Sequence, residues 1–356
     1  MVKISAWQYT AILTVNILST AILLPPAFMA RQAGRDAWVA IIISVAAGVL
    51  LAAVVTSLCS RFPELNLLQI GEKLLGTAAG RLLGLLYSFF FILLAAKAIR
   101  EFASFMATAF MPQTPVEIFS IIMVLACIYP VYQGLEVIGR LSEIIFPVIV
   151  FFLLLFLILM APEFEVYALL PLLQSEPVSL LRGGFIFFAW VGQIFLLGML
   201  YPHLEEQDKA FKGALVVLGT VLFFLAAGSL VIEFIFGFPL SERFTFALLQ
   251  FIRLVDIAVI LERIDAVVIP IWVSGVFVKI SFLLYLSVSS LKNTFGLSEY
   301  RFLIVPAAAL PTALSVVLFE SSLEMELFLK FFATVFFLPF FTGIPLLLYL
   351  FSLLKV

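Results

Sequence analysis

Two amines, Lys279 and Lys97, are the residues best placed to do chemistry, because each sits inside an apolar run long enough to be a membrane helix. Between Asp265 and Lys292 the only charge is Lys279. Neither side of that run reaches the ~20 residues that cross a bilayer core, whereas the two sides together do. Lys279 therefore falls near the middle of one span, roughly 18 Å of helix from the next charged end at the α-helical rise. An ammonium at that depth faces a bundle interior or cavity and marks a ligand or ion site; the plainer alternative is a packing partner for a neighbouring helix. The same spacing recurs between Arg81 and Glu117, where the only charges are Lys97, Arg100 and Glu101. Lys97 and Glu101 can pair one helical turn apart, and Phe90 and Leu94 continue the same stripe. For Arg100 and Glu101, a buried network serving packing alone is an equal alternative.

Such a setting suits a small amphipathic ligand, and a free amino acid in particular. Its carboxylate would take backbone amides at an interrupted helix whose outer half presents a positive end. Its ammonium would take freed carbonyls, and its side chain an apolar wall. Lys279 would either neutralise the carboxylate or stand where a sodium-coupled relative holds its cation, making the protein independent of sodium. Catalysis finds little support. The single histidine, His203, lies among charged residues at a span end and is expected to be solvated. No HExxH, Walker-type loop or Ser-His-Asp set is present. Cys59 and Cys127 lie in separate apolar runs without metal-ligand spacing and are expected to be buried thiols. No cofactor is implied.

The elements that must position these residues follow from composition. Of 356 residues, 64% are hydrophobic and only 12% charged, against about 25% charged in soluble domains. Lipid is therefore the solvent, and the net charge of -2 offers no basic field for nucleic acid. Ten-residue alternation is absent, which excludes a barrel. The fold class is an all-α multi-pass membrane protein with about ten spans. They are expected at Ala6–Ala30, Ala37–Ser60, Leu82–Phe110, Val116–Tyr132, Leu141–Ala161, Leu180–Tyr201, Lys212–Phe236, Ala266–Leu291, Phe302–Phe319 and Leu327–Leu354. Glu64–Gly80 reads as a short amphipathic helix ended by glycine, and Phe238–Leu261 as an interfacial amphipathic segment. A small excess of Lys and Arg falls on the side carrying both termini, which places those termini in the cytoplasm.

Ten spans divide into five and five, as a single domain of two repeats, about 1–161 and 180–356. The first and sixth spans are each interrupted, by Asn16-Ile17-Leu18-Ser19-Thr20-Ala21 ahead of Pro25-Pro26, and by Gly183-Gly184 followed by Trp190-Val191-Gly192-Gln193. Matched interruptions point to a midplane binding site, since unwound backbone is tolerated in a membrane only where protein or a wet cavity satisfies it. Pro130, Pro147, Pro270, Pro339 and Pro345 read as bends.

These features resemble the spore germination receptor B subunit (GerAB-type) family, within the amino acid-polyamine-organocation superfamily. The resemblance is carried by Leu261-Glu262-Arg263-Ile264-Asp265-Ala266, Ile271-Trp272 and Lys279, then Leu291-Lys292-Asn293-Thr294-Phe295-Gly296-Leu297. Ile4-Ser5-Ala6-Trp7-Gln8, Arg100-Glu101-Phe102, Gly134-Leu135-Glu136-Val137-Ile138-Gly139-Arg140 and Leu170-Pro171-Leu172-Leu173 extend it over the chain. It implies an inverted five-plus-five fold with ligand between the broken first helix (Ser19, Thr20, Ala21) and sixth helix (Val191, Gly192, Gln193). Walls would come from the third (Phe90, Leu94, Lys97) and the eighth (Lys279, Leu283). The first break of that superfamily is usually glycine-rich, and here it holds no glycine. The resemblance further implies an A subunit and a lipoprotein C subunit as partners in the spore inner membrane, and a nutrient germinant that is sensed. An autonomous amino acid transporter, proton-coupled through Glu101 or Lys97, is the alternative reading.

Overall fold

The computed structural model describes residues 2–22, 25–164, 173–237, 265–319 and 321–355. The expected Phe238–Leu261 segment, Glu262, Arg263 and Leu170-Pro171-Leu172 lie outside the described residues. The helices are α1 (Ala6–Ala21), α2 (Pro25–Ala33), α3 (Ala37–Ser60), α4 (Leu67–Leu75), α5 (Thr77–Ala109), α6 (Val116–Gln133), α7 (Leu135–Met160), α8 (Pro177–Val191), α9 (Leu197–Leu200), α10 (Ala210–Phe236), α11 (Asp265–Phe295), α12 (Ile304–Val317), α13 (Ser322–Phe331), α14 (Ala333–Leu338) and α15 (Ile344–Lys355). Among the described residues, eight helical stretches are long and apolar enough to cross a membrane. The shorter α1 and α12 fall where the first and ninth spans are expected, so the count of about ten stands.

Local chemistry explains where the helices begin and end. A capping box opens α1: Gln8 N–H donates to Ser5 Oγ (3.1 Å) and Ser5 N–H to Gln8 Oε1 (3.2 Å). Thr10 and Thr14 then return their hydroxyls to carbonyls one turn back, each at 2.8 Å, which keeps α1 free of loose polar groups on that face. Asn66 and Gln69 form a second box at α4. The glycine that ends α4 is Gly76, with φ of 89°, rather than Gly80. Gly80 instead lies within α5, where a Cβ would sit 2.4 Å from the Glu72 backbone. Its role is close helix contact, which composition alone does not separate from capping.

Every residue of α1 from Tyr9 to Ala21 is buried, with α7, α10 and α11 packed around it. The most extensive helix pair is α5 with α11, the third and eighth spans, which sets Lys97 and Lys279 on adjoining scaffolds. The sixth span is not one helix: α8 passes into a 3₁₀ segment, Gly192–Leu196, before α9. The tenth span, expected as one run, is divided by a π-helical turn at Pro339–Gly343. Proline removes an amide and clashes one turn back, and such turns are frequent at functional sites.

One end of the bundle is tied by the residues just before α1. Ile4 forms a parallel bridge with Leu204 beyond the sixth span. Ile4 N–H donates to the His203 carbonyl (2.8 Å) and Glu205 N–H to the Ile4 carbonyl (3.0 Å). His203 Nδ1–H donates to the Val2 carbonyl (2.9 Å), and Lys3 Nζ donates to that of Pro202 (3.1 Å). His203 is thus half-buried in this tie rather than solvated as expected. The variant Ile4→Pro removes the donor to His203 while sparing the cap at Ser5. Hydrogen exchange of the Glu205 amide should speed up at least tenfold in that variant; unchanged protection would mean the bridge does not form in the bilayer.

Candidate functional site

The site is organised by Lys279, 2% exposed at the middle of α11. Its Nζ donates to the Asn16 carbonyl (2.8 Å), Thr20 Oγ1 (2.8 Å) and Gln193 Oε1 (3.2 Å). Three acceptors use the full donor capacity of an ammonium, and they come from both interrupted spans. Asn16 Nδ2 also donates to Gln193 Oε1 (3.1 Å), and Gln193 Nε2 to the Ala189 carbonyl (3.3 Å). Nearby, Lys97 Nζ pairs with Glu101 Oε1 (2.9 Å) and lies 4.7 Å from the Trp190 ring centroid. Lys97 and Glu101 are close enough to act electrostatically on Lys279.

The first-span interruption differs from expectation. Ser19, Thr20 and Ala21 remain helical; α1 ends at Ala21 and α2 begins at Pro25. The last turn of α1 offers carbonyls that lack intrahelical donors, and Trp272 Nε1–H takes that of Ser19 (2.6 Å). The amide donors expected at the start of α2 are reduced, because Pro25 and Pro26 have no N–H. Recognition of a carboxylate there would fall more on ammonium groups than on backbone.

The three residues expected at the sixth-span break point three ways. Val191 packs toward α3, its Cγ1 lying 2.5 Å from where a Cβ on Gly48 would be. Gly192 meets the π-turn: a Cβ there would sit 2.4 Å from Phe341 Cδ2. Only Gln193 reaches Lys279. Phe90 does not join this group either; it stacks on Phe340 at 4.2 Å and contacts Phe337 and Phe341 edge-on. Leu94 and Leu283 are buried core residues, as is Ala21. Arg100 turns toward α12, its Nη1 lying 3.5 Å from the Ser315 carbonyl.

Asn16, expected only as the first residue of the interruption, and Trp272, expected at a span end or packed near the site, both join the group although neither is among the residues expected to hold ligand. Asn16 and Thr20 lie one turn apart, a polar stripe that identifies the face of α1 turned to Lys279. Several buried atoms here have no hydrogen-bond partner among the described residues: Asn16 Oδ1, Ser19 Oγ, Glu101 Oε2, Ser104 Oγ and Trp190 Nε1. Each such group costs about 1–3 kcal/mol if left unmet, so this region has polar capacity for a ligand.

An all-helical membrane bundle with interrupted first and sixth spans, crossed by the third and eighth, is the architecture of LeuT-fold transporters. The chain superposes on MhsT in complex with L-phenylalanine with a TM-score of 0.71 at 14% identity, covering 96% of this chain and 88% of that one. It also superposes on Mhp1, a nucleobase-cation-symport-1 family transporter, with bromovinylhydantoin bound, at 0.57 and 13%, covering 96% and 77%. Within that fold its sequence falls in a narrower group. The pattern of the Spore_permease family, described as spore germination protein, matches residues 3–322, and the chain belongs to that family. Spore germination protein KB of Bacillus subtilis (strain 168) is 26% identical over 299 residues, 82% of this chain and 79% of that protein. Putative spore germination protein YfkT of the same organism is 26% identical over 293 residues, 82% and 80%. Family and fold together support a germinant-receptor or transporter-like role for a multi-pass membrane protein.

Gly192 provides a direct test of how tightly the sixth span is seated. Gly192→Ala should destabilise the fold by ~1–3 kcal/mol through overpacking on Phe341, read as a lower melting temperature in detergent. Adding Phe341→Leu should restore at least half of the loss; additive losses would show that the two segments do not share this contact.

Proposed function

We propose that this protein is the nutrient-binding subunit of a spore germinant receptor. An amino acid, or a similarly small nutrient, binds at the membrane midplane between the two interrupted spans and the walls of α5 and α11. The observation that carries the reading is the Lys279 ammonium joined to both interrupted spans at once, through Asn16 and Thr20 on one side and Gln193 on the other. A ligand competing for those acceptors changes the tie between the halves, which is what a two-state receptor requires. Formal charge favours an anionic group in the ligand. The buried cluster holds two amines, Lys97 and Lys279, and one carboxylate, Glu101; a buried excess charge is costly unless paired.

In this reading the site comprises Ser19, Thr20, Ala21, Phe90, Leu94, Lys97, Val191, Gly192, Gln193, Lys279 and Leu283, with Phe90, Leu94, Val191 and Leu283 shaping it by packing. The two repeats, about 1–161 and 180–356, each supply one interrupted helix and one wall. Binding is passed to an A subunit and a lipoprotein C subunit in the spore inner membrane, with both termini on the cytoplasmic side. A second reading, an autonomous proton-coupled amino acid transporter, is favoured by one observation: Glu101, paired to Lys97 through Oε1, keeps Oε2 without a partner among the described residues.

A thermal-shift screen of the purified protein against small nutrients tests the proposal. A ligand that prefers the folded state raises the melting temperature, and Lys279→Met should abolish that rise. A dose response unchanged by Lys279→Met would overturn the site. Proteoliposome uptake separates the readings: binding without saturable flux supports the receptor, and robust flux by this chain alone supports the transporter.

A further inference from the structure

The second, sixth and tenth spans leave a cavity of about 490 Å³ between them, walled by α3, α8, the π-turn and the helices on either side of that turn. All three stretches are long and apolar enough to cross a membrane, and the rim residues Leu50, Leu181, Phe185 and Leu346 are exposed. The mouth therefore opens sideways into bilayer hydrocarbon. Only two of the lining side chains, Ser44 and Thr342, carry a hydrogen-bonding group. Neither Ser44 Oγ nor Thr342 Oγ1 has a partner among the described residues, and Ser44 is 2% exposed. Hydroxyls elsewhere in the bundle, at Ser88, Ser142, Thr220 and Thr294, return to the carbonyl four residues back at 2.8 Å. Thr342 stands in the π-turn, where that ladder is displaced. The carbonyl four residues before Ser44 is pressed by α8, a Cβ on Gly184 lying 3.0 Å from the Ala40 oxygen.

We propose that this cavity binds a neutral, bilayer-soluble carbonyl compound, whose oxygen accepts from Ser44 and Thr342 while its hydrocarbon chain fills the rest. A carbonyl oxygen carries two lone pairs and needs no donor in return, so one group meets both hydroxyls. Depth decides against a phospholipid. The 24 residues of α3 make a helix roughly 36 Å long, which exceeds the ~30 Å hydrocarbon core by only about 3 Å at each end. Ser44 lies roughly 10 Å along α3 from Ala37, and so about 7 Å below the headgroup boundary. Ester carbonyls held at that boundary by a charged headgroup do not reach it, whereas a molecule without such a headgroup does. From Ser44 the apolar lining continues along α3 to Val54, roughly 15 Å further, which sets the reach of the chain. Phe188 joins the cavity to the sixth-span break: its ring is part of the lining, and its Cε1 lies 3.1 Å from where a Cβ on Gly192 would be. The site is separate from the Lys279 network, and its assignment holds whether the chain senses a nutrient or transports one.

The ketone 2-undecanone and the alkane undecane form a matched pair, alike in length and differing in one acceptor. The full-length protein in phosphatidylcholine nanodiscs would be titrated with each at matched mole fractions in the bilayer, following the melting temperature, which a compound that prefers the folded state raises. Both should raise it saturably. The ketone should half-saturate at a roughly fivefold lower mole fraction, the worth of about one net hydrogen bond. The double variant Ser44→Ala, Thr342→Val should bring the ketone to the level of the alkane and leave the alkane unchanged. Ala47→Phe fills the cavity from an exposed lining position and should weaken both compounds at least tenfold. Thr220→Val removes a hydroxyl already bonded to the Val216 carbonyl in another groove, between α7 and α10, and should change neither. Equal half-saturation of the two compounds on the native chain, or loss of their difference in Thr220→Val, overturns the carbonyl assignment. A native melting temperature that fails to rise saturably, or that rises identically in Ala47→Phe, overturns the cavity as a binding site.

Discussion

A lysine ammonium cannot sit at the centre of a membrane helix without acceptors, and most of this architecture is arranged around supplying them. A straight helix keeps its carbonyls in its own ladder and presents few groups to a neighbour. Lys279 is satisfied by the Asn16 carbonyl and the Thr20 hydroxyl on one face of α1 and by Gln193, which stands in a tightened 3₁₀ turn instead of a regular helix. The polar groups of the first and sixth spans and the charge in the eighth are therefore parts of one requirement. Remove the ammonium and Thr20 and Gln193 lose the donor that joins them.

The same requirement extends outward through packing. The 3₁₀ turn that presents Gln193 also brings Gly192 against Phe341, and Phe341 belongs to the π-turn of the tenth span. Tyr87 fixes that turn from α5 by donating to the Phe340 carbonyl (2.7 Å), and Phe90 stacks on the Phe340 ring. Two irregular helical segments thus lie in contact, with aromatic rings from α5 between them. Close-packed interiors shift between discrete arrangements rather than deform gradually. Contacts thus run from the turn that holds Gln193 to the tenth span, whose last helix, α15, reaches the bundle end where Lys355 Nζ donates to the Leu74 carbonyl (2.6 Å).

Much of this was legible in the sequence because charge in lipid is so constrained. Lys279, and Lys97 and Glu101 as a pair, announce themselves by lying too far from the charges that flank their spans, and their burial follows from span arithmetic alone. The interruptions were legible as regions but not as residues. Ser19-Thr20-Ala21 looks irregular for its small polar side chains, yet Thr20 keeps its helical place and spends its hydroxyl on Lys279. Phe90 shares a stripe with Lys97 in a helical projection, but a stripe gives no distance to the tenth span, whose aromatics take it up. Val191, Gly192 and Gln193 are consecutive, so spacing could not reveal that one faces α3, one the π-turn and one Lys279. The short helix reads in sequence as running to Gly80, and only the positive φ of Gly76 and the close backbone approach at Gly80 show which glycine ends it.

The pair Pro25-Pro26 changes the chemistry of the first interruption in a way that follows from proline alone. A helix start normally offers four free amides to an anion; here the first two positions of α2 offer none. Glycine is absent from the segment before it as well, so the backbone does not gain the close approach that glycine permits. Both departures weaken backbone recognition of a carboxylate, and both coincide with an amine pair, Lys97 and Lys279, that backbone-based recognition would not need. An ammonium attracts an anion without demanding the geometry of converging amides. In the proposed site, charge would stand in for directional donors, and with Lys279 tied to three oxygens an anion that draws on it would loosen the bonds joining the first span to the sixth.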